Sequence, residues 1–178
     1  MTRTSTSGVI KKRRLAIVLP IAAAWLALLP GAAFSQSLKD QLVGTWSLTA
    51  WEQTYKDGHK DQAFGAKPKG IQTFEPNGRF TLVFISPDLP KVASNDRVRP
   101  TPEEAMAIAK GAIAYYGTYS VDEGSKTVTL DLEGTTFTNQ NGVPQKRVVT
   151  AISADELKYR NPTSASGGVI EVAFKRLK

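Results

Sequence analysis

The feature that most constrains the fold is a period-two alternation of apolar and polar residues, repeated in short segments between residues 44 and 178. Residues 127–133 show it clearly, with valine and leucine alternating with threonine and acidic residues. Because successive side chains of a strand point to opposite faces, the pattern predicts strands with one buried and one exposed face. Turn residues such as Asp57-Gly58 and Glu75-Pro76-Asn77-Gly78 separate the segments. Many short strands with regular turns are typical of a sandwich or a barrel.

We predict eight strands, a ninth candidate and one helix. The strands cover residues 45–55, 70–74, 79–85, 115–121, 127–133, 145–152, 156–161 and 168–177, and residues 135–138 are the ninth candidate. Thr101-Pro102-Glu103-Glu104 is a capping box with proline at the first helical position, which predicts a helix over residues 102–114. Closure of the sheet removes its edges, and about eight strands enclose room for side chains or one small ligand. The predicted fold is therefore all-β: a closed antiparallel up-and-down β-barrel with the helix packed on it or capping it.

The first 35 residues are typical of a bacterial secretory signal. Lys11 to Arg14 form a basic region, an apolar run follows over residues 15–29, and Ala33-Phe34-Ser35 predicts cleavage before Gln36. The apolar run is shorter than the roughly 20 residues that span a bilayer, and an uncleaved anchor is the alternative. We expect residues 1–35 to be removed and residues 36–178 to form a single domain, periplasmic or secreted, without a membrane span.

Charge and composition exclude several classes of site. The chain has 23 Lys and Arg against 16 Asp and Glu, a net charge of +7, but five of the cations lie in the signal segment. The remaining charge of +2 does not predict nucleic-acid binding. The absence of cysteine rules out disulfides and thiolate sites. His59 is the sole histidine, too few for a zinc site, and we expect it in a solvated turn. We predict no metal and no cofactor.

Several landmarks resemble the lipocalin-like domain family of bacteria and fungi, within the calycin group. They are, in order, Leu42–Leu48 with its Gly44-Thr45-Trp46, residues 70–80, Ala114–Val121 after the helix, residues 142–149 around Arg147, and Phe174-Lys175-Arg176. The resemblance implies a closed barrel whose lumen binds a ligand. The family usually has a histidine in the strand after the helix, where this chain has Leu130 and Asp131. A role for such an imidazole is therefore not carried over.

The candidate site combines one arginine with aromatic residues on inward strand phases. The predicted ligand-binding residues are Arg147, Phe74, Phe84, Tyr119 and Tyr159. Periodicity leaves the orientation of Arg147 open, and the resemblance places it toward the lumen. A buried guanidinium needs a partner. The alternatives are a ligand carboxylate held bidentately and an internal ion pair with Glu52, Asp131 or Glu133.

Trp46 and Arg176 are predicted to have a structural role at the barrel closure. The first and last strands of a closed barrel are neighbours, and both residues lie in the apolar phase of their strands. A guanidinium over an indole is a favourable cation–π contact, worth about 0.5–2 kcal/mol. The family resemblance implies the same pairing at the closed end.

The sequence thus predicts an extracytoplasmic protein that binds a small hydrophobic or amphipathic molecule, with a carboxylate as one candidate. No catalytic residue is assigned. One alternative is an isomerase or cyclase whose lumenal carboxylate, Glu52 or Asp131, performs acid–base chemistry. Another is an envelope interaction protein with a filled barrel, whose loops, above all residues 86–100, meet a protein partner.

Overall fold

A computed structural model describes residues 1–4 and 36–178. The rest of the predicted signal segment and its cleavage site lie outside the described residues. In chain order the elements are α1 (Leu38–Leu42), β1 (Gly44–Thr54), β2 (Lys60–Asp61), β3 (Lys69–Phe74), β4 (Arg79–Ile85), α2 (Pro102–Gly111), β5 (Ala112–Asp122), β6 (Thr127–Thr135), a 3₁₀ turn (Thr138–Gln140), β7 (Gln145–Ile152), β8 (Glu156–Asn161) and β9 (Val169–Arg176). Among these, no helix has the length and apolar character needed to cross a membrane.

The strands form the predicted closed antiparallel barrel. Neighbouring strands are hydrogen-bonded in the order β1-β3-β4-β5-β6-β7-β8-β9, and β1 also pairs with β9, which closes the ring. The short strand β2 pairs with the end of β1 and lies outside this ring of eight. The fold prediction is confirmed, since the eight strong strand candidates are the eight strands of the barrel.

Two local predictions differ from the structure, and the structure adds one short helix, α1, that the sequence pattern does not predict. The ninth candidate, residues 135–138, is wrong: it spans the last residue of β6 and the start of the 3₁₀ turn, and the additional strand is β2 instead. The helix α2 ends at Gly111 rather than at residue 114, because residues 112–114 pair with β4 and extend β5. The five-residue α1 is too short to show a helical period, although Ser37 caps it by accepting a hydrogen bond from the Asp40 amide.

A bulge in β1 changes which of its residues face the interior. The pairing with β9 shifts between Leu48 and Ala50, which inserts one extra residue and reverses the alternation beyond it. An uninterrupted alternation would place Ala50 on the same face as Trp46 and Leu48, but Ala50 is exposed. Trp51 and Gln53 face the interior instead. Glu52 therefore points outward.

One end of the barrel is closed by α1 and by side chains. The β3–β4, β5–β6 and β7–β8 turns lie at this end, where β1 begins. The Glu123 carboxylate in the β5–β6 turn accepts hydrogen bonds from the amides of Leu38 and Lys39 at 2.8 and 3.1 Å, which satisfies free N–H groups of α1. The large side chains that fill this half are Leu42, Trp46, Phe74, Phe80, Leu130 and Leu157.

Arg176 links the closed end together. Its guanidinium lies 4.0 Å from the centroid of the Trp46 ring, and the two residues pair across β1 and β9. The same side chain donates hydrogen bonds to the carbonyls of Gln41, Val43 and Ala154, each at 2.6 Å. Gly44 permits this approach, because its φ is +130° and an added Cβ would lie 2.5 Å from the Arg176 Nη1.

Candidate ligand-binding cavity

The opposite end of the barrel contains a cavity of about 980 Å³. This is the end where the β1–β3 connection, the segment from residue 86 through α2, the β6–β7 connection and the β8–β9 loop meet. Its volume lies at the upper end of the range for small-molecule sites, about 300–1,000 Å³. Side chains fill only the closed half of the barrel, so the alternative of a filled barrel does not describe this half.

One wall of the cavity is apolar and partly aromatic. The Phe64 ring packs edge-to-face against Trp51, with centroids 5.2 Å apart, and against Phe84 at 5.9 Å. Ile113 of β5, Ile108 of α2 and Leu89 of the preceding loop continue the same surface. The helix α2 thus packs over the cavity, and it supplies apolar surface that the eight strands alone do not provide.

Arg147 faces the cavity from β7. The residue is 6% exposed. Its Nη1 donates to the Lys146 carbonyl at 2.9 Å, its Nη2 donates to the Tyr115 hydroxyl at 3.2 Å, and its Cζ lies 6.0 Å from the Tyr159 ring centroid. Within the described part of the chain no carboxylate lies within salt-bridge distance of this guanidinium. A guanidinium has five N–H donors, so most of its capacity remains for another partner.

The expected internal ion pair of Arg147 is not formed. Glu52, turned outward by the β1 bulge, binds Lys60 at 2.6 Å. Glu133 binds Arg79 on the outer face of the barrel at 2.7 Å, and Asp131 is exposed on that face. None of these three carboxylates lines the cavity. A lumenal base at Glu52 or Asp131 is thus contradicted by the geometry.

Tyr159 lies at the floor of the cavity, beside Arg147. Its hydroxyl donates to the Gln72 Oε1 at 2.8 Å, and burial is the largest cause that raises the pKa of the phenol. Burial also opposes the charge on Arg147, but the interactions with Tyr115 and Tyr159 outweigh it, and the pKa of the guanidinium is raised. At neutral pH Arg147 is therefore a permanent cation and the Tyr159 phenol is neutral.

The other predicted ligand-binding residues separate into two groups. Phe84 lines the cavity, as Tyr159 and Arg147 do. Phe74 and Tyr119 lie in the closed half, where their rings pack edge-to-face at 5.0 Å and the Tyr119 hydroxyl donates to the Glu75 carbonyl at 2.9 Å. Neither lines the cavity, so we assign both to the packing of the closed half.

Three buried polar residues at the cavity are additional to the predicted set: Tyr115, Asn161 and Gln53. The strand phase indicates the first two, because Tyr115 alternates in register with Tyr119, and Asn161 alternates with Tyr159. The alternation of β1 gives no such signal for Gln53, since the bulge reverses its phase.

Gln53 holds the β8–β9 loop, residues 162–168, against the cavity mouth. The side chain is 1% exposed. Its Nε2 donates to the Ser164 Oγ at 3.2 Å and to the Gly167 carbonyl, and its Oε1 accepts from the Ser166 Oγ at 2.8 Å. One buried side chain thus makes three hydrogen bonds to one loop.

His59 lies in an exposed turn, away from the cavity. Its ring stacks on Tyr55 with centroids 4.0 Å apart, and its Nδ1 lies 2.6 Å from the Asp57 carboxylate. Over residues 1–4 and 36–178, no group of three or more His, Asp or Glu side chains is placed to hold a metal ion. Asp61 and Asp88 are the carboxylates at the cavity, both exposed residues of the connecting segments.

One protein-family model matches this chain, and several solved structures resemble it. The model of the lipocalin-like domain family matches residues 43–171. Among solved structures, a lipocalin-like protein from Bacteroides uniformis ATCC 8492 is 15% identical, with a TM-score of 0.43 over 77% of this chain and 99% of that chain. A redesigned beta barrel is 14% identical, with a TM-score of 0.43 over 81% of this chain and 98% of that chain. No curated protein matches the sequence. Because the family model covers most of the chain, this protein belongs to the lipocalin-like domain family.

Proposed function

We propose that this protein binds and carries a small amphipathic molecule with an apolar body and a carboxylate group. A lipocalin-like barrel suits small-ligand binding, and the cavity at its open end provides the space. The observation that carries the proposal is Arg147, a buried cation that faces this cavity and pairs with no carboxylate of the described residues.

The ligand body would bind by burial against the apolar wall. Removal of apolar surface from water contributes about 25 cal/mol per Å². The side chains available for this contact include Phe64, Phe84 and Ile113. This term gives affinity without strong selectivity, because the hydrophobic effect is not directional.

Arg147 would supply orientation and selectivity. Transfer of a cation from water into a protein interior costs several kcal/mol unless a partner compensates it. The two neutral oxygens now bound to Arg147 compensate in part, and a ligand carboxylate would add bidentate, charge-assisted hydrogen bonds. An uncharged ligand of the same shape would leave this cation without a counter-ion.

We place this activity outside the cytoplasm. The support is the sequence of residues 1–35, with its basic region, apolar run and small-residue cleavage site. The ligand would then be a molecule of the periplasm or the surroundings of the cell.

The two alternative functions have less support. An isomerase or cyclase would need a lumenal acid or base, and the carboxylates expected in that role, Glu52 and Asp131, lie on the outer face. An interaction protein with a solid barrel is at odds with the open cavity. Ligand binding, in contrast, requires neither a catalytic carboxylate nor a barrel filled with side chains.

Tryptophan fluorescence tests the proposal, because Trp51 lines the cavity and Trp46 lies in the closed half. The protein from residue 36 onward is titrated with aliphatic and polycyclic carboxylic acids, each compared with its own primary alcohol. We expect acids to bind at least tenfold more tightly than their alcohols, with the spectral change lost in Trp51→Phe. Equal affinity for acid and alcohol, or no binding of either, contradicts the proposal.

A further inference from the structure

Apart from Tyr115, the buried polar side chains of the cavity lie on one side of it, on β1, β7 and β8. Taking the carrier function proposed above as its basis, we infer that the ligand is a rigid polycyclic carboxylate with one apolar face and one hydroxyl-bearing face. A polar wall on β7 and β8, with two unused donors, faces an apolar wall formed by β4, the start of β5 and α2.

The two unused donors lie side by side on neighbouring strands. Val148 of β7 pairs with Arg160 of β8. Because the two strands are antiparallel, the next pair toward the open end places Arg147 beside Asn161. Both side chains line the cavity, and Asn161 is 7% exposed. The Asn161 Oδ1 accepts a hydrogen bond from the Thr163 amide at 3.3 Å, whereas its Nδ2 donates to no group of the described residues. A neutral donor thus accompanies the cation of Arg147.

Polar groups continue from this pair toward the cavity mouth. Tyr159 and Asn161 alternate along β8, and Ser164 and Ser166 follow in the β8–β9 loop. Gln53 adjoins them, because it and Asn161 both pair with Ile170 of β9. Polar side chains therefore line one side from the floor to the mouth, rather than only one end. Those of Gln53 and the two serines hydrogen-bond to one another, so the free donors are those of Arg147 and Asn161.

The buried lining on the opposite side is apolar, and polar residues such as Ser86, Asp88 and Lys110 occur there only in the connecting segment and on α2, where Asp88 and Lys110 are exposed. In the ring β1-β3-β4-β5-β6-β7-β8-β9, the strand across from β8 is β4, which contributes Phe84 to the cavity. Phe64, Leu89, Ile108 and Ile113 extend this surface from the neighbouring segments. The cavity is thus amphipathic across its width.

This arrangement distinguishes two kinds of amphipathic acid. A fatty acid is polar at one end only, so its chain would lie against the polar wall and exclude water from the Asn161 amide. A buried donor without a partner costs about 1–3 kcal/mol. A rigid polycycle with hydroxyl groups on one face would satisfy the polar wall and pack its other face on the aromatic side chains.

Isothermal titration calorimetry with three probes tests this inference: cholate, which carries three hydroxyl groups on one face, 5β-cholanate, which has the same skeleton without hydroxyls, and palmitate. We expect cholate to bind at least tenfold more tightly than 5β-cholanate or palmitate. Asn161→Leu should weaken cholate binding roughly five- to tenfold, the loss of one hydrogen bond to a neutral donor, and change 5β-cholanate binding less than twofold. Asn141→Leu, at an exposed asparagine outside the cavity lining, is the matched control and should change neither.

Each outcome bears on a different statement. If cholate and 5β-cholanate bind equally, or palmitate binds more tightly than both, the inference about the hydroxyl-bearing face is overturned while the carboxylate carrier stands. If none of the three acids binds, the proposed function fails as well. The comparison of ligands on the unaltered protein needs no variant, so it decides the matter even if Asn161→Leu does not fold.

Discussion

Arg147→Met separates a binding role of Arg147 from a structural one. Methionine keeps the length and apolar stem of the side chain but removes the cation. The wild-type guanidinium donates two hydrogen bonds to neutral oxygens, each worth about 1.5–3 kcal/mol because the donor is charged. Its desolvation costs several kcal/mol in the opposite direction. These contributions nearly offset, so the ligand-free variant should unfold within about 1 kcal/mol of wild type, a shift of up to about 4 °C in Tm.

The effect on binding should be much larger. Loss of one partner of a buried, hydrogen-bonded charge pair costs about 2–4 kcal/mol, which corresponds to about 30- to 1,000-fold weaker binding of a carboxylate ligand. Calorimetric titration and urea denaturation of the same preparation measure both quantities. Arg79→Met is the matched control, because Arg79 forms its ion pair with Glu133 on the outer face; we expect unchanged affinity and a stability loss of at most about 1 kcal/mol.

Two results refute this reasoning. A large loss of stability in Arg147→Met, above about 2 kcal/mol, means that the arginine holds the barrel together. Unchanged carboxylate affinity means that the ligand does not reach the guanidinium.

Further predictions concern the β8–β9 loop, Tyr159 at the floor of the cavity, Gly44 at the closed end of the barrel, and the pH dependence of ligand binding. Gln53→Leu removes the three hydrogen bonds to residues 162–168. Limited digestion should therefore cleave that loop faster, and stopped-flow measurements should show faster ligand release. Tyr159 has a raised pKa in the folded state, so the unfolded chain loses this proton first; above about pH 10 stability should fall by about 1.4 kcal/mol per pH unit from this group, and urea titrations of Tyr159→Phe should show a shallower fall. Gly44→Ala introduces a Cβ 2.5 Å from the Arg176 Nη1 at a φ of +130°, and we expect a loss of about 1–3 kcal/mol in urea denaturation. Because the pKa of Arg147 is raised, carboxylate affinity should stay level from about pH 6 to 9 and fall only as the ligand protonates near about pH 4–5; a decline between pH 7 and 9 would contradict the assigned contact.

The strand pattern of the sequence predicts the fold well because one face of each strand is buried. The alternation in residues 127–133 and the capping box at Thr101 both act locally, so they are visible without tertiary information. The β1 bulge is different, because the extra residue is defined only by the pairing with β9. The alternation of the sequence therefore places Ala50 on the wrong face and does not indicate that Gln53 faces the cavity.

The candidate site is predicted less completely for a geometric reason. A period of two tells which face a side chain occupies, but not its height along the barrel axis. Phe74, Phe84, Tyr119 and Tyr159 all lie on inward phases, yet the first and third lie in the filled half and the others at the cavity. The sequence does not decide between an internal carboxylate and a ligand as the partner of Arg147 for a related reason, because the outward orientation of Glu52 depends on the bulge.

Native mass spectrometry of the protein purified from the cells that produce it tests the central claim most directly. The account predicts a discrete additional mass, one molecule per chain, that organic extraction releases as an anionic amphiphile and that is absent from Arg147→Met prepared in the same way. A protein that is free of ligand on purification, and remains so after exposure to a pool of carboxylic acids, would contradict it.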